Sequence, residues 1–259
     1  MDSTIASTQT EAHRDGPIRS ISLPPSQDNR VNRIRSLTIA GPAGQLEAVL
    51  NQGSPDARFA ALVCHPHPLG GGNLHNKVVY HATKVLNDAA RGGLRCPVLR
   101  FNFRGTGLSE GAHDGIAETG DVLAAMEWLE REFRLPLIVA GFSFGAAMAL
   151  RACSLPGPAH RDVCALIALG LPTTAPTTAP TTPQRPAYPY SFLQNLTTPK
   201  LFLSGDRDQF APVEQLTQVV ASAAEPKRLI LIPGADHFFT NQLEPMQRTL
   251  AGWLKEQLP

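Results

Sequence analysis

Three residue types with the right spacing point to nucleophilic acyl chemistry. Ser143 sits in Gly141-Phe142-Ser143-Phe144-Gly145, a G-x-S-x-G stretch. Far downstream lie a carboxylate cluster, Asp206-Arg207-Asp208, and then Asp236-His237. A hydroxyl becomes a competent nucleophile when an imidazole takes its proton and a carboxylate orients and stabilises that imidazole. The chain order Ser143, Asp208, His237 is the order that accompanies a G-x-S-x-G turn, so His237 is the candidate base. Asp206 and Asp208 compete for the acid. Asp206 stands hard against the preceding apolar run, where a carboxylate tends to bond turn amides. Asp208 lies further into the loop with more reach, and Asp236 is read as local turn chemistry.

The five-residue pattern is weak by itself, because Gly107-Leu108-Ser109-Glu110-Gly111 matches it too. Context separates the two. Ser143 is preceded by Leu137-Ile138-Val139, a buried-strand pattern, and followed by Ala146-Ala147-Met148-Ala149-Leu150, a run of strong helix formers. A serine on that strand-to-helix turn is held in a strained backbone with its hydroxyl exposed, and the glycines on either side permit the close approach. Ser109 lies several residues past its apolar run and precedes Ala112-His113-Asp114-Gly115, a turn-like cluster. It reads as a loop hydroxyl.

Donors for a developing oxyanion are expected from two backbone N–H groups. One is Phe144, the residue after the nucleophile. The other is His67 in His65-Pro66-His67-Pro68-Leu69-Gly70-Gly71-Gly72, where neither flanking proline carries an N–H. One strong donor is worth roughly 3–4 kcal/mol of transition-state stabilisation. A rival reading gives His65, His67 and His75 or His81 to a metal, but no H-E-x-x-H or matched carboxylate spacing accompanies them. His65 is read as a hydrogen-bonded structural residue, and Arg104 in Asn102-Phe103-Arg104-Gly105 as a loop-shaping one.

The elements that must position these residues follow from periodicity. Ile34–Ile39 and Leu46–Leu50 alternate around Gly41-Pro42-Ala43-Gly44, which predicts an antiparallel hairpin at a sheet edge. Apolar strands are then expected at Phe59–Cys64, Val98–Phe101, Leu137–Ala140, Val163–Leu169, Lys200–Leu203 and Leu229–Ile232. Helices are expected from Asn76 to about Ala90, from Ile116 to Phe133, after Ser143, and from Glu244 to Leu258. Strands alternating with helices imply an α/β fold with a mostly parallel sheet covered on both faces. The reactive residues then belong at the carboxyl ends of the strands.

The chain of 259 residues is long enough for one large α/β domain. Lys plus Arg number 23 against 22 Asp plus Glu, with no basic block, which argues against nucleic-acid or anionic-membrane partners. No apolar run reaches membrane-spanning length and no signal-peptide pattern opens the sequence, so a cytoplasmic protein is expected. Cys64, Cys96, Cys153 and Cys164 show no metal or disulfide spacing. Residues 1–32 are Ser/Thr/Gln/Pro-rich and are expected to be a disordered or loosely attached extension to a domain of residues 33–259.

With His-Pro-His-Pro and Gly-Gly, Asn-Phe-Arg-Gly-x-Gly-x-Ser-x-Gly, Gly-Phe-Ser-Phe-Gly and Gly-Ala-Asp-His-Phe-Phe in that order, the chain resembles α/β-hydrolase-fold serine hydrolases. Within these it looks like the compact bacterial esterase-like group. The resemblance runs from about Ile34 to the end. It implies Ser143 as nucleophile and His237 as base, and a G-x-x-D pattern in that group maps onto Gly205–Asp208 and favours Asp208 as acid. It also implies esterase activity on small acyl substrates with no metal or organic cofactor. Alternatives are an amide, peptide or aminoacyl hydrolase using the same triad, and a non-catalytic ligand-binding scaffold. The sequence departs from the compact pattern in its N-terminal extension and in a Pro/Thr-rich insert at 171–198. Its proline spacing forbids a regular helix, and the insert is too short to make a cap domain. It is expected to be idle or weakly gating, with Tyr188, Tyr190 and Phe192 available to line a pocket wall.

Overall fold

Alternation of side chains across each strand divides the apolar residues of this chain between two layers, and the helices cover both. The structure, a computed structural model, describes residues 1, 34–88, 93–157, 162–174 and 188–259. The expected N-terminal extension, apart from Met1, and the centre of the Pro/Thr-rich insert, 175–187, lie outside the described residues. The described strands are β1 (Ile34–Gly41), β2 (Gly44–Asn51), β3 (Ala60–Cys64), β4 (Val98–Phe101), β5 (Leu137–Phe142), β6 (Val163–Leu169), β7 (Lys200–Gly205) and β8 (Lys227–Ile232). They form one sheet in the order β1-β2-β4-β3-β5-β6-β7-β8. β2 runs against both β1 and β4, and every pairing from β4 onward is parallel.

The helices are α1 (Lys77–Asn87), α2 (Glu118–Phe133), α3 (Phe144–Ser154), α4 (Val213–Ser222) and α5 (Leu243–Gln257). Leu62 and Cys64 of β3 and Leu137 and Val139 of β5 face α2, α3 and α4, where they pack with residues such as Met126, Met148 and Leu216. The intervening Ala61, Val63, Ile138 and Ala140 face α1 and α5, against Val79, Leu86, Leu250 and Trp253. A parallel strand buried on both faces needs apolar residues at every position, and β3 and β5 are buried throughout. The expected fold class is what the structure has. No large cap is inserted among the described residues.

The element boundaries that differ have local reasons. Ile116 is exposed and lies outside α2, because the Asp114 carboxylate accepts from the Ile116 and Ala117 amides and holds them in a turn. β7 continues through Ser204 and Gly205, past the apolar run that marks it in the sequence. α4 has no counterpart in the sequence reading. It is short and buries only Leu216 and Val220, too few apolar positions for a periodic signal.

Registers place the strand ends side by side. Cys64 pairs with Gly141, Phe142 with Leu169, Leu169 with Leu203, and Gly205 with Ile232. Loops that start about 30 to 170 residues apart in sequence therefore leave the sheet along one edge.

Candidate active site

Ser143 is the residue between β5 and α3, with φ 54° and ψ −120°, a region side-chain-bearing residues rarely occupy. Its N–H donates to Leu169 O at 2.8 Å, which ties the turn to β6. The turn is possible only because its flanks are glycines. A Cβ on Gly141 would stand 2.3 Å from Gly145 O, and one on Gly145 would stand 2.4 Å from His65 O and 2.5 Å from Cys64 O. Strand, helix and the β3 loop thus press together at backbone contact, which leaves the Ser143 side chain the one part of the turn free to project.

His237, on the loop after β8, meets that side chain. Its Nε2 lies 2.9 Å from Ser143 Oγ, although 94 residues separate the two. Its Nδ1 lies 2.9 and 2.8 Å from Asp208 Oδ1 and Oδ2. The carboxylate partner requires Nδ1–H, which leaves Nε2 as the acceptor facing the serine hydroxyl. Both His237 and Asp208 are buried. Asp208 is further held by the Ser204 hydroxyl at 3.0 Å and by the Phe210 and Ala211 amides at 2.8 and 3.2 Å. Those donors keep its carboxylate aimed at the imidazole.

The competing carboxylates are occupied elsewhere. Asp206 accepts from the Gly234 N–H at 2.7 Å, tying the β7 and β8 loops together. Asp236 accepts from the Phe238 and Thr240 amides at 3.0 and 2.9 Å. Ser109 is buried away from the site, where its hydroxyl donates to Asn102 O and accepts from the Glu47 amide. Arg104 forks onto Asp121 of α2, with Nη2 2.7 Å from Oδ1 and Nε 3.0 Å from Oδ2.

The β3 loop runs beside the turn. His65 is fully buried: its Nε2 accepts from the Phe103 amide at 3.0 Å and its Nδ1 faces Pro66 O at 2.6 Å. Burial drives its pKa down to about 4. Both ring nitrogens are therefore used by protein groups. No cluster of three or more His, Cys, Asp or Glu suited to a metal occurs among the described residues. His67 follows, with its ring 5.1 Å from that of Phe144. Phe144 begins α3, so its N–H has no partner within the helix. The two expected oxyanion donors are thus on adjacent segments beside Ser143.

A cavity of about 580 Å³ opens over this group, walled by the β3 loop, Phe144, Tyr188, Phe210 and Phe238, with Ser143 and His237 at its base. Of the three insert aromatics only Tyr188 lines it. The Tyr190 hydroxyl instead donates to Pro172 O at 2.6 Å, and Phe192 packs against the core. Sequence reasoning missed the aromatic setting of the imidazole. The rings of Phe210, Phe142 and Phe238 lie 4.6, 5.0 and 5.2 Å from that of His237. The signal was present, because Phe142 adjoins Ser143, Phe210 follows Asp208 by two, and Phe238 follows His237. Ser204 was missed for lack of any motif. The four cysteines are free, and burial raises the pKa of each, so none supplies a thiolate.

Known proteins share this arrangement of chain. A family model described as an alpha/beta hydrolase domain matches residues 85–256. An uncharacterized protein of Rickettsia prowazekii is 32% identical over 222 residues, which cover 83% of this chain and 86% of that one. The crystal structure of an α/β serine hydrolase without a lid from Xanthomonas campestris is 30% identical, with a TM-score of 0.70 over 87% of this chain and 95% of that one. An α/β serine hydrolase homologue from Coxiella burnetii is 31% identical, with a TM-score of 0.72 over 85% and 97% of the two chains.

Proposed function

Because the chain belongs to the α/β-hydrolase family, we propose that it is a serine hydrolase that cleaves small carboxylic esters through Ser143, His237 and Asp208. The observation that carries this reading is the unbroken contact from Asp208 through His237 to Ser143, at 2.8 and 2.9 Å. His237 Nε2 takes the Ser143 proton as Oγ attacks the ester carbonyl. The oxyanion forms against the His67 and Phe144 N–H groups, which are fixed before the reaction and need no reorganisation. Asp208 holds the imidazole and balances its charge while it carries the proton. Collapse passes that proton to the leaving alcohol. Water, deprotonated by His237, then attacks the acyl-enzyme and regenerates Ser143 with release of the acid.

The cavity supports an uncharged, apolar acyl group. Its walls are mainly aromatic rings, Leu69, prolines and glycines, with His67, Asn76 and Thr174 as polar members, and no Asp, Glu, Lys or Arg is among its described lining residues. A charged acyl chain would lose hydration there without finding a counter-charge. That speaks against aminoacyl substrates, whose ammonium needs a carboxylate.

Ser143→Ala should lower kcat on p-nitrophenyl butyrate by several orders of magnitude, on the order of 10⁶. It should also abolish labelling by a fluorophosphonate probe. Near-normal turnover by that variant would remove Ser143 from the role.

A further inference from the structure

We propose that His113 is a positioning residue for the oxyanion hole. Clamped at its back by Glu118, its ring holds the ring of His67 against Phe144, so that both donor amides keep their aim. The inference rests on the hydrolase reading above and assigns a role to a residue outside the triad and the donors.

Three rings meet beside the nucleophile turn. The His113 ring lies 4.7 Å from His67 and 5.4 Å from Phe144, both near edge-on, and the His67 and Phe144 rings are 5.1 Å apart. Two of these rings belong to the residues whose N–H groups face the oxyanion. The third comes from the loop between β4 and α2, and its side chain is only 10% exposed.

The β3 loop needs such a support. Its internal bonds, from the Gly70 and Gly72 amides to His67 O, shape it without attaching it to the body of the domain. Its two ends are anchored, upstream by His65 to the Phe103 amide and downstream by the Leu74 amide to Asn102 Oδ1. Between these anchors, residues 67–72 are His, Pro, Leu and three glycines, so the His67 ring, whose Nδ1 accepts from the Leu69 amide at 3.2 Å, is the handle by which neighbours can hold the loop.

Glu118 fixes the support in turn. It is fully buried, and its Oε1 lies 2.5 Å from His113 Nδ1. The ring meets the carboxylate off the N–H axis, so the two are in close contact without an aligned hydrogen bond. The Asp114 and Gly115 amides donate to the two oxygens of Glu118, each at 3.0 Å. One helix turn on, Asp121 holds Arg104, so the loop, the start of α2 and the end of β4 form one bonded block. A buried carboxylate must be held by donors, and the Asp114 and Gly115 amides supply them, which fixes Glu118 behind the His113 ring.

The test separates positioning from bulk stability. His113→Ala and His113→Leu should each lower kcat on p-nitrophenyl butyrate about 10- to 100-fold, the scale of an ångström-sized misplacement. KM should move less than about threefold, and inhibition by phenylboronic acid, whose tetrahedral adduct occupies the oxyanion hole, should weaken in parallel with kcat. His113→Phe combined with Glu118→Gln keeps the ring and removes the buried charge, and should recover most of the loss. The leucine variant fills the volume and keeps the test valid if the alanine variant does not fold. Variants with lowered Tm but wild-type kcat and boronate affinity would overturn the proposal, as would a Phe/Gln variant as slow as His113→Ala. Fluorophosphonate labelling of the wild type is the separate check on the hydrolase reading. An unlabelled Ser143 sinks both, whereas a labelled one beside unaffected His113 variants sinks only this.

Discussion

Two aspartates two residues apart take different work because of where their oxygens end. Asp208 receives four donors, from His237, Ser204 and the Phe210 and Ala211 amides, and all of them orient one carboxylate toward the imidazole. Asp206 faces the opposite loop and accepts from Gly234. An amide at 208 presents the wrong group to Nδ1–H and destabilises the imidazolium, so Asp208→Asn should lower kcat about 10⁴-fold. Asp206→Asn should cost less than about tenfold and register mainly as a lowered Tm, through the weakened loop contact. Steady-state kinetics on the two variants decide it, and the reverse ranking would move the role to Asp206. Ser109 offers the same contrast with Ser143, the proposed nucleophile. It has the motif but lacks the strained turn, and its hydroxyl is spent on Asn102 and Glu47.

Between elements, the carboxyl ends of β3 and β4 are stitched by one imidazole. His65 accepts from the Phe103 amide and faces Pro66 O, an arrangement that needs the neutral ring. Its folded pKa is pushed down by burial to about 4, whereas the unfolded chain has the ordinary value near 6.5. Between those two values the unfolded state binds the extra proton. The stabilisation is therefore fully present above about pH 6.5 and is lost as pH falls toward 4, with a total on the order of 3 kcal/mol. Urea titrations from pH 7.5 to 4.5 should show wild type losing stability more steeply than His65→Asn. Parallel slopes would mean that another group carries the acid sensitivity. The neighbouring ends of β3 and β5, paired at Cys64 and Gly141, place His67 and Phe144 next to each other, which neither loop could accomplish alone.

At the scale of the molecule, five loops converge on the pocket from one edge of the sheet, and the described ends of the insert are tethered beside that edge. The Thr173 and Thr174 amides donate to Phe210 O, two residues from Asp208. Tyr190 binds Pro172 O, and Tyr188 reaches the cavity wall. The described ends of the insert thus belong to the pocket's frame. Replacing residues 175–184 with a short Gly-Ser linker, leaving Thr173, Thr174 and Tyr188 in place, should keep kcat/KM for p-nitrophenyl butyrate within about twofold, since those three residues carry the described contacts with the pocket. A rise in KM of about tenfold would assign the insert a gating role. No helix among the described residues is long and apolar enough to cross a membrane.

Most of the fold was legible in the sequence because its strands are buried on both faces and its longer helices carry an apolar stripe, both of which are local patterns. α4 escaped, since two buried residues in ten make no period. By itself the sequence determined the strand–turn–helix around Ser143, the glycines that the turn demands, and the short set of histidines and aspartates available to it. Only the tertiary structure decided which aspartate faces His237, that Ser109 is spent inside a loop, and that His113 leans on His67. Those outcomes depend on distances between side chains tens of residues apart, which strand register and helix packing fix and which no local spacing encodes.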